Sequence, residues 1–125
     1  MNETEERLND IRIENNVWIL YLGIIALSYW ANEFEKKYFI YNDQEAKEKY
    51  RILTIIIFSI LVMVYYYFFK EGLENVNELN PWDDENKKEL TKLNAFASTL
   101  ILIAGIIFLY IAIVDTELNV EIAFN

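Results

Sequence analysis

The sequence predicts an all-α membrane protein, with three long transmembrane helices and a short strand-like C-terminal tail. Its apolar residues are gathered into three blocks, two of these blocks contain no charge over eighteen or more residues, and aromatic residues cluster at the block ends. Hydrophobic residues make up 54% of the 125 residues, whereas soluble domains typically have about 45–50%. A chain of this length forms one domain, so we expect a single integral membrane domain over residues 1–125.

The first apolar block, Val17–Ala31, is the shortest of the three. As a helix it would reach only about 22 Å, a length shared with interfacial and buried segments, so whether it fully crosses stays open. Trp18 and Trp30 stand near its two ends and are expected interface anchors, which favours a span over residues 17–34. The preceding residues hold five acids and two arginines, unlike the basic start of a cleaved signal peptide.

The second block, Ile52–Phe69, has eighteen uncharged residues between Arg51 and Lys70. A helix of this length spans about 27 Å, close to the roughly 30 Å hydrocarbon core of a bilayer. A soluble bundle helix would be polar on its outer face, but here only a threonine and a serine interrupt the run before its tyrosines. Aromatic rings and a terminal lysine favour the membrane interface. The expected anchors are therefore Tyr65, Tyr66, Tyr67 and Lys70.

The third block, Ala95–Val114, has twenty uncharged residues and carries a stripe of small side chains. Ser98, Gly105 and Ala112 recur at seven-residue intervals, so one side of the helix would form a smooth groove. Small residues allow helices to approach closely in lipid. Gly23 and Ala26 on the first span are the expected partners within the chain, although a second copy of the chain is an equal alternative.

Two helix starts are predicted outside the three blocks. Asn42 followed by Glu45 resembles a capping box and predicts a helix from Asp43 to about residue 71. The pair Asn80-Pro81 predicts a helix that continues to residue 115, with Asn80 as its N-cap. The extramembrane loops are then residues 35–51 and 70–94, and within the first of them residues 38–41 are either strand-like or an interfacial turn.

The C-terminal tail, residues 115–125, shows a different pattern. Apolar residues at positions 118, 120, 122 and 124 alternate with glutamate, asparagine and alanine, which is the period of a half-buried strand. A frayed amphipathic tail is the alternative.

Composition excludes several classes of function. The net charge of −9 argues against a nucleic-acid partner, because phosphate binding needs a basic face. The chain has no cysteine and no histidine, and no Asp, Glu, Lys or Arg lies within an apolar block, so we expect no catalytic residue, no cofactor and no metal. Acidic groups such as Glu3, Glu5 and Glu6 fit solvated helix starts.

The sequence thus predicts a small non-enzymatic integral membrane protein whose partners are the lipid bilayer and either further copies of itself or another protein. The alternative is a pore-forming or channel subunit, of the holin-like or toxin- and defence-effector-like kind. A basic cluster flanks the first two spans and favours a cytoplasmic position for that loop and for the C-terminus. The composition, rich in Ile, Asn, Lys, Glu and Tyr, suggests a bacterial source. The basic cluster consists of Lys36, Lys37, Lys47, Lys49 and Arg51.

Overall fold

The computed structural model describes residues 2–122 and contains three α-helices, with no strand over those residues. Helix α1 covers Glu3–Tyr41, α2 covers Gln44–Asn77 and α3 covers Glu85–Val114. Their 39, 34 and 30 residues give helices of about 58, 51 and 45 Å. An 18-residue segment of α1, α2 and α3 has a mean hydropathy of 1.3, 2.4 and 2.6, respectively. Each of the three helices is therefore long and apolar enough to cross a membrane. The all-helical prediction is therefore confirmed.

Helix α1 joins the charged N-terminal segment to the first apolar block without a break. The side chain of Asn2 caps it, since its Oδ1 accepts a hydrogen bond of 2.8 Å from the backbone N–H of Glu5. Three glutamates in the first turn face the positive end of the helix dipole. Residues 38–41, expected to be either strand-like or an interfacial turn, instead form the last turn of α1.

The connection between α1 and α2 is only two residues long. Asn42 adopts a left-handed conformation with φ 52°, which ends α1. Asp43 then caps α2, because its Oδ1 accepts hydrogen bonds from the backbone N–H groups of Glu45 at 3.1 Å and Ala46 at 3.2 Å. The cap predicted at Asn42 therefore falls one residue later.

Helix α3 begins at Glu85, four residues after the predicted first helical position at Pro81. Asp83 explains the difference, because its Oδ2 accepts a hydrogen bond of 2.8 Å from the backbone N–H of Asn80. The N–H of Asp83 in turn donates to the carbonyl of Asn80 at 3.0 Å. These two bonds close a turn over residues 80–83, and Asp84 becomes the N-cap position of α3.

The described part of the C-terminal tail is irregular, so the strand predicted for residues 116–125 is wrong over residues 116–122. The carboxylate of Asp115 accepts hydrogen bonds of 2.9 Å from the N–H groups of Asn119 and Val120. Leu118 has a positive φ of 54°, which is incompatible with an extended strand. Side-chain bonds of this kind satisfy backbone donors locally and compete with strand pairing. The last three predicted tail residues, 123–125, lie outside the described part.

The chain forms two compact units, one that ends at Ile57 and one that begins at Phe58. In the first unit the buried residues include Ala31 of α1 and Ala46, Tyr50 and Thr54 of α2. In the second unit they include, from α2 and α3, Phe58, Leu61, Val64, Ala95 and Ala112. Of the three apolar windows, that of α2 is 33% buried inside the protein, against 11% for α1 and for α3. Most of the apolar surface of α1 and α3 therefore faces outward.

Candidate functional site

One residue of the small-residue stripe on α3, Gly105, lies at a contact with α2 in the second unit. A Cβ added to Gly105 would lie 2.8 Å from Cδ2 of Tyr65 and 3.5 Å from Cγ2 of Val62, so the Tyr65 ring occupies the space that a side chain would fill. Ala112 is buried, and Ser98 is half-buried with its hydroxyl donating to the carbonyl of Asn94 at 2.9 Å. The stripe predicted from the sequence thus includes two buried positions.

A second close approach in this unit involves Gly72, which directly follows the helix end predicted at about residue 71. Gly72 lies inside α2, and a Cβ added to it would be 3.2 Å from Cα of Ala95. Gly72 follows Tyr65 by seven residues, the same spacing that revealed the stripe on α3. Phe58 and Phe108 continue the contact, with ring centroids 5.7 Å apart. The heptad spacing on α2 was the signal that could have found this position.

Gly23 and Ala26 are exposed on α1. A Cβ added to Gly23 would meet no atom within 4 Å. Their packing role stays a prediction.

Most of the predicted interface anchors have exposed rings. Trp18 and Trp30 are 65% and 55% exposed, and each contacts an aromatic neighbour one turn away, Tyr21 and Phe34 respectively. Tyr66, Tyr67 and Lys70 are also exposed. Tyr65 differs from them because its ring packs on Gly105. The placement of these residues at a membrane surface stays a prediction.

Apolar side chains are also exposed outside the predicted spans. Residues 3–16, here called the N-terminal arm, carry Leu8 and Ile11, which are 59% and 50% exposed. Near the start of α3, Leu90 and Leu93 are 55% and 54% exposed. On α1 the exposed side chains of Trp18, Leu22 and Ile25 continue from Leu8 and Ile11 at helical spacing, so one apolar stripe runs from the arm into the first predicted span.

Charged and aromatic side chains surround a depression of about 90 Å³ at the turn between α1 and α2. The Nζ atoms of Lys37 and Lys49 lie 5.7 and 5.5 Å from the centroid of the Phe34 ring. Lys49 also pairs with Glu45 at 3.2 Å. The sequence predicted a basic cluster here, but it did not predict that Phe34, Asp43 and Glu45 lie beside it. The residues that line this depression, here called the hairpin depression, are Phe34, Lys37, Asp43, Glu45, Ala46 and Lys49.

One hydroxyl group in the second predicted span is buried without a hydrogen-bond partner. Thr54 is 2% exposed, and its Oγ1 contacts no donor or acceptor. Thr91 and Thr99 show the usual alternative, since each donates to the carbonyl four residues earlier, at 2.7 and 2.8 Å. Thr54 therefore places an unsatisfied polar atom within an apolar helix.

No protein-family model, curated protein or solved structure matches the chain. Over residues 2–122 no group of three or more metal-ligating side chains comes together.

Proposed function

We propose that the protein is a small non-enzymatic integral membrane protein that crosses the bilayer three times and acts as a component of an oligomeric or partner-bound membrane assembly. The exposed apolar surfaces of α1 and α3 support the membrane location, because the apolar windows of both helices are only 11% buried within the chain. Hydrocarbon is a suitable solvent for such surfaces, and water is not.

The observation that carries the assembly proposal is the exposure of Leu8 and Ile11 on the N-terminal arm. Both residues precede the predicted span that starts at residue 17, so lipid tails do not cover them. Fully burying a leucine or isoleucine side chain is worth about 1.5–3 kcal/mol. A second copy of the chain or a partner protein that covers the arm gains this free energy.

A pore-forming subunit is the second candidate, and Thr54 is the observation that favours it. A buried hydroxyl without a partner inside an apolar helix is satisfied if water or an ion passes beside it. Liposome conductance separates the two candidates, since an assembly component leaves the vesicles sealed.

The orientation is part of the same proposal. The turn between α1 and α2 lies close to five basic residues that flank two predicted spans, so we place this turn on the cytoplasmic side. Two crossings separate the turn from the C-terminus, which is then also cytoplasmic.

The test compares two double variants of the arm by native mass spectrometry in detergent. The variant Leu8→Ser with Ile11→Ser removes the two exposed apolar side chains that lie before the first predicted span. We therefore expect the assembly to dissociate or the partner to be lost. In the matched control, Asn9→Ser with Arg12→Ser, two exposed polar residues of the same turns change, and we expect the wild-type state. A wild-type protein that is monomeric and alone in detergent and in nanodiscs would refute the assembly proposal.

A further inference from the structure

We propose that the hairpin depression binds the headgroup of an aminophospholipid, with Lys37 and Lys49 holding the phosphate and Asp43 and Glu45 holding the primary ammonium. The inference rests on the proposed membrane location. It adds a ligand of defined chemistry, which is a headgroup that carries one phosphate and one protonated primary amine.

The position of the depression, at the ends of two predicted spans, fits a lipid headgroup. Phe34 is the last residue of the first predicted span, and Lys49 precedes the start of the second span at Ile52 by three residues, about 4.5 Å along a helix. Both helices therefore bring the depression to the level where the hydrocarbon ends. Its lining is mainly polar, with Phe34 and Ala46 as the apolar exceptions, so a polar group of a lipid fits it better than an acyl chain.

The two lysines come from different helices and converge on one ring. Lys37 belongs to α1 and Lys49 to α2, and both ammonium groups lie within 5.7 Å of the Phe34 centroid. A contact with an aromatic face attracts a cation but leaves its charge and N–H donors available to an anion. Both lysines also line the same depression, so their ammonium groups are suited to a phosphate there, whose oxygens accept several charge-assisted hydrogen bonds.

The two acids decide which phospholipid is bound. Asp43 is held in place because its Oδ1 caps α2, and a carboxylate has further acceptor sites beyond the two hydrogen bonds that the cap uses. Glu45 forms an ion pair with Lys49 at 3.2 Å, and its carboxylate has further acceptor sites beyond that pair. A purely anionic headgroup would meet as many carboxylates as ammonium groups in this lining. A primary ammonium donates N–H bonds to the carboxylates, whereas a trimethylated amine has no N–H to donate.

The test measures lipid retention by native mass spectrometry, with the full chain purified in detergent and mixed separately with phosphatidylethanolamine, phosphatidylcholine and phosphatidylglycerol. We expect phosphatidylethanolamine to be retained about tenfold more tightly than either of the others, the effect of one charge-assisted hydrogen bond. Excess inorganic phosphate should fail to displace it, because free phosphate lacks the amine. Equal retention of the three lipids, or displacement by phosphate alone, would overturn the proposal.

Substitutions test which side chains hold the phosphate of the headgroup and which hold its ammonium group. Lys37→Gln should weaken retention of phosphatidylethanolamine about tenfold, whereas Lys36→Gln, a change at the neighbouring lysine outside the depression, should leave it unchanged. Asp43→Asn keeps a capping oxygen but removes the charge, and with Glu45→Gln it should shift the preference toward phosphatidylglycerol. Equal effects of Lys37→Gln and Lys36→Gln would contradict the assignment.

The same spectra report the oligomeric state, so the two proposals fail separately. Selective lipid retention by a monomer would remove the assembly proposal and leave the headgroup site. An oligomer that retains all three lipids equally would remove the headgroup site and leave the assembly proposal.

Discussion

The ring of Tyr65 in α2 rests on the backbone of Gly105 in α3, where an added Cβ would lie 2.8 Å from the ring atom Cδ2. Close approach of this kind requires a residue without a side chain on one of the two helices. A similar close approach occurs at Gly72 of α2, where an added Cβ would lie 3.2 Å from Cα of Ala95 in α3. Within the second unit, glycines on both helices therefore bring the two backbones together.

Gly105→Leu should destabilise the second unit. Its side chain would overlap the Tyr65 ring, and overpacking typically costs about 1–3 kcal/mol. We expect a lower thermal unfolding midpoint in detergent, measured by circular dichroism. Gly23→Leu is the matched control, because a Cβ at Gly23 meets nothing within 4 Å and the midpoint should not fall.

Removing the Tyr65 ring should partly rescue that variant. In Gly105→Leu with Tyr65→Ala the leucine enters the space that the ring leaves, so the two changes should cost less together than the sum of each alone. Strictly additive losses would show that the Tyr65 ring is not the group that Gly105 accommodates.

Met63→Lys should test the membrane location more sharply than a change at a buried residue. Met63 is 71% exposed near the middle of the second predicted span, so its replacement removes little packing within the chain. In water a lysine there would be harmless, but near the bilayer centre it costs about 2.5–3.5 kcal/mol on insertion scales. We expect loss of the protein from the membrane fraction.

Leu73→Lys provides the control for this experiment. Leu73 is also exposed on α2 but follows the predicted span, so a lysine there should not affect insertion. Unimpaired recovery of both variants from the membrane fraction would contradict the proposed second span, and a soluble wild-type protein would contradict the membrane location as a whole.

The helices could be predicted from the sequence because the apolar blocks are long and their signal is strong. Each of the three blocks lies in one helix, and the charged segments beside them extend all three helices beyond the predicted spans. The helix ends were harder to predict because they depend on single side-chain bonds. Asp43 rather than Asn42 caps α2, and the bond from Asn80 to Asp83 delays the start of α3.

The candidate sites were only partly accessible from the sequence for a related reason. A seven-residue repeat of small residues identified the α3 stripe, but it did not reveal that Tyr65, expected as an interface anchor, packs on Gly105. The hairpin depression combines residues from two helices, and its geometry depends on the two-residue turn between them. Residues such as Phe34 and Lys49 are fifteen positions apart, and no local pattern links them.

Cysteine labelling should report the topology directly. The chain has no native cysteine, so single cysteines at Gln44, Asn86 and Thr116 can be labelled without background. These positions are exposed. With three crossings, Gln44 and Thr116 should react from one side of sealed vesicles and Asn86 only from the other. Labelling of all three from one side would remove both the second and the third span.

The turn that precedes α3 should loosen in acid because of Asp83. The backbone N–H of Asn80 donates to its carboxylate, and together with the nearby Lys87 and Lys88 this holds the pKa of Asp83 below its ordinary 3.8. A group whose pKa is lower in the folded chain stabilises the fold above its unfolded pKa, and that contribution is lost as the pH falls through the folded value. Trp82 lies in this turn and is exposed, so its fluorescence should change in a transition below pH 3.8.

Asp83→Asn keeps an acceptor oxygen but has no proton to gain, and this variant should lack the transition, whereas Asp84→Asn should retain it. An acid transition that is identical in wild type and Asp83→Asn would mean that another group controls the turn.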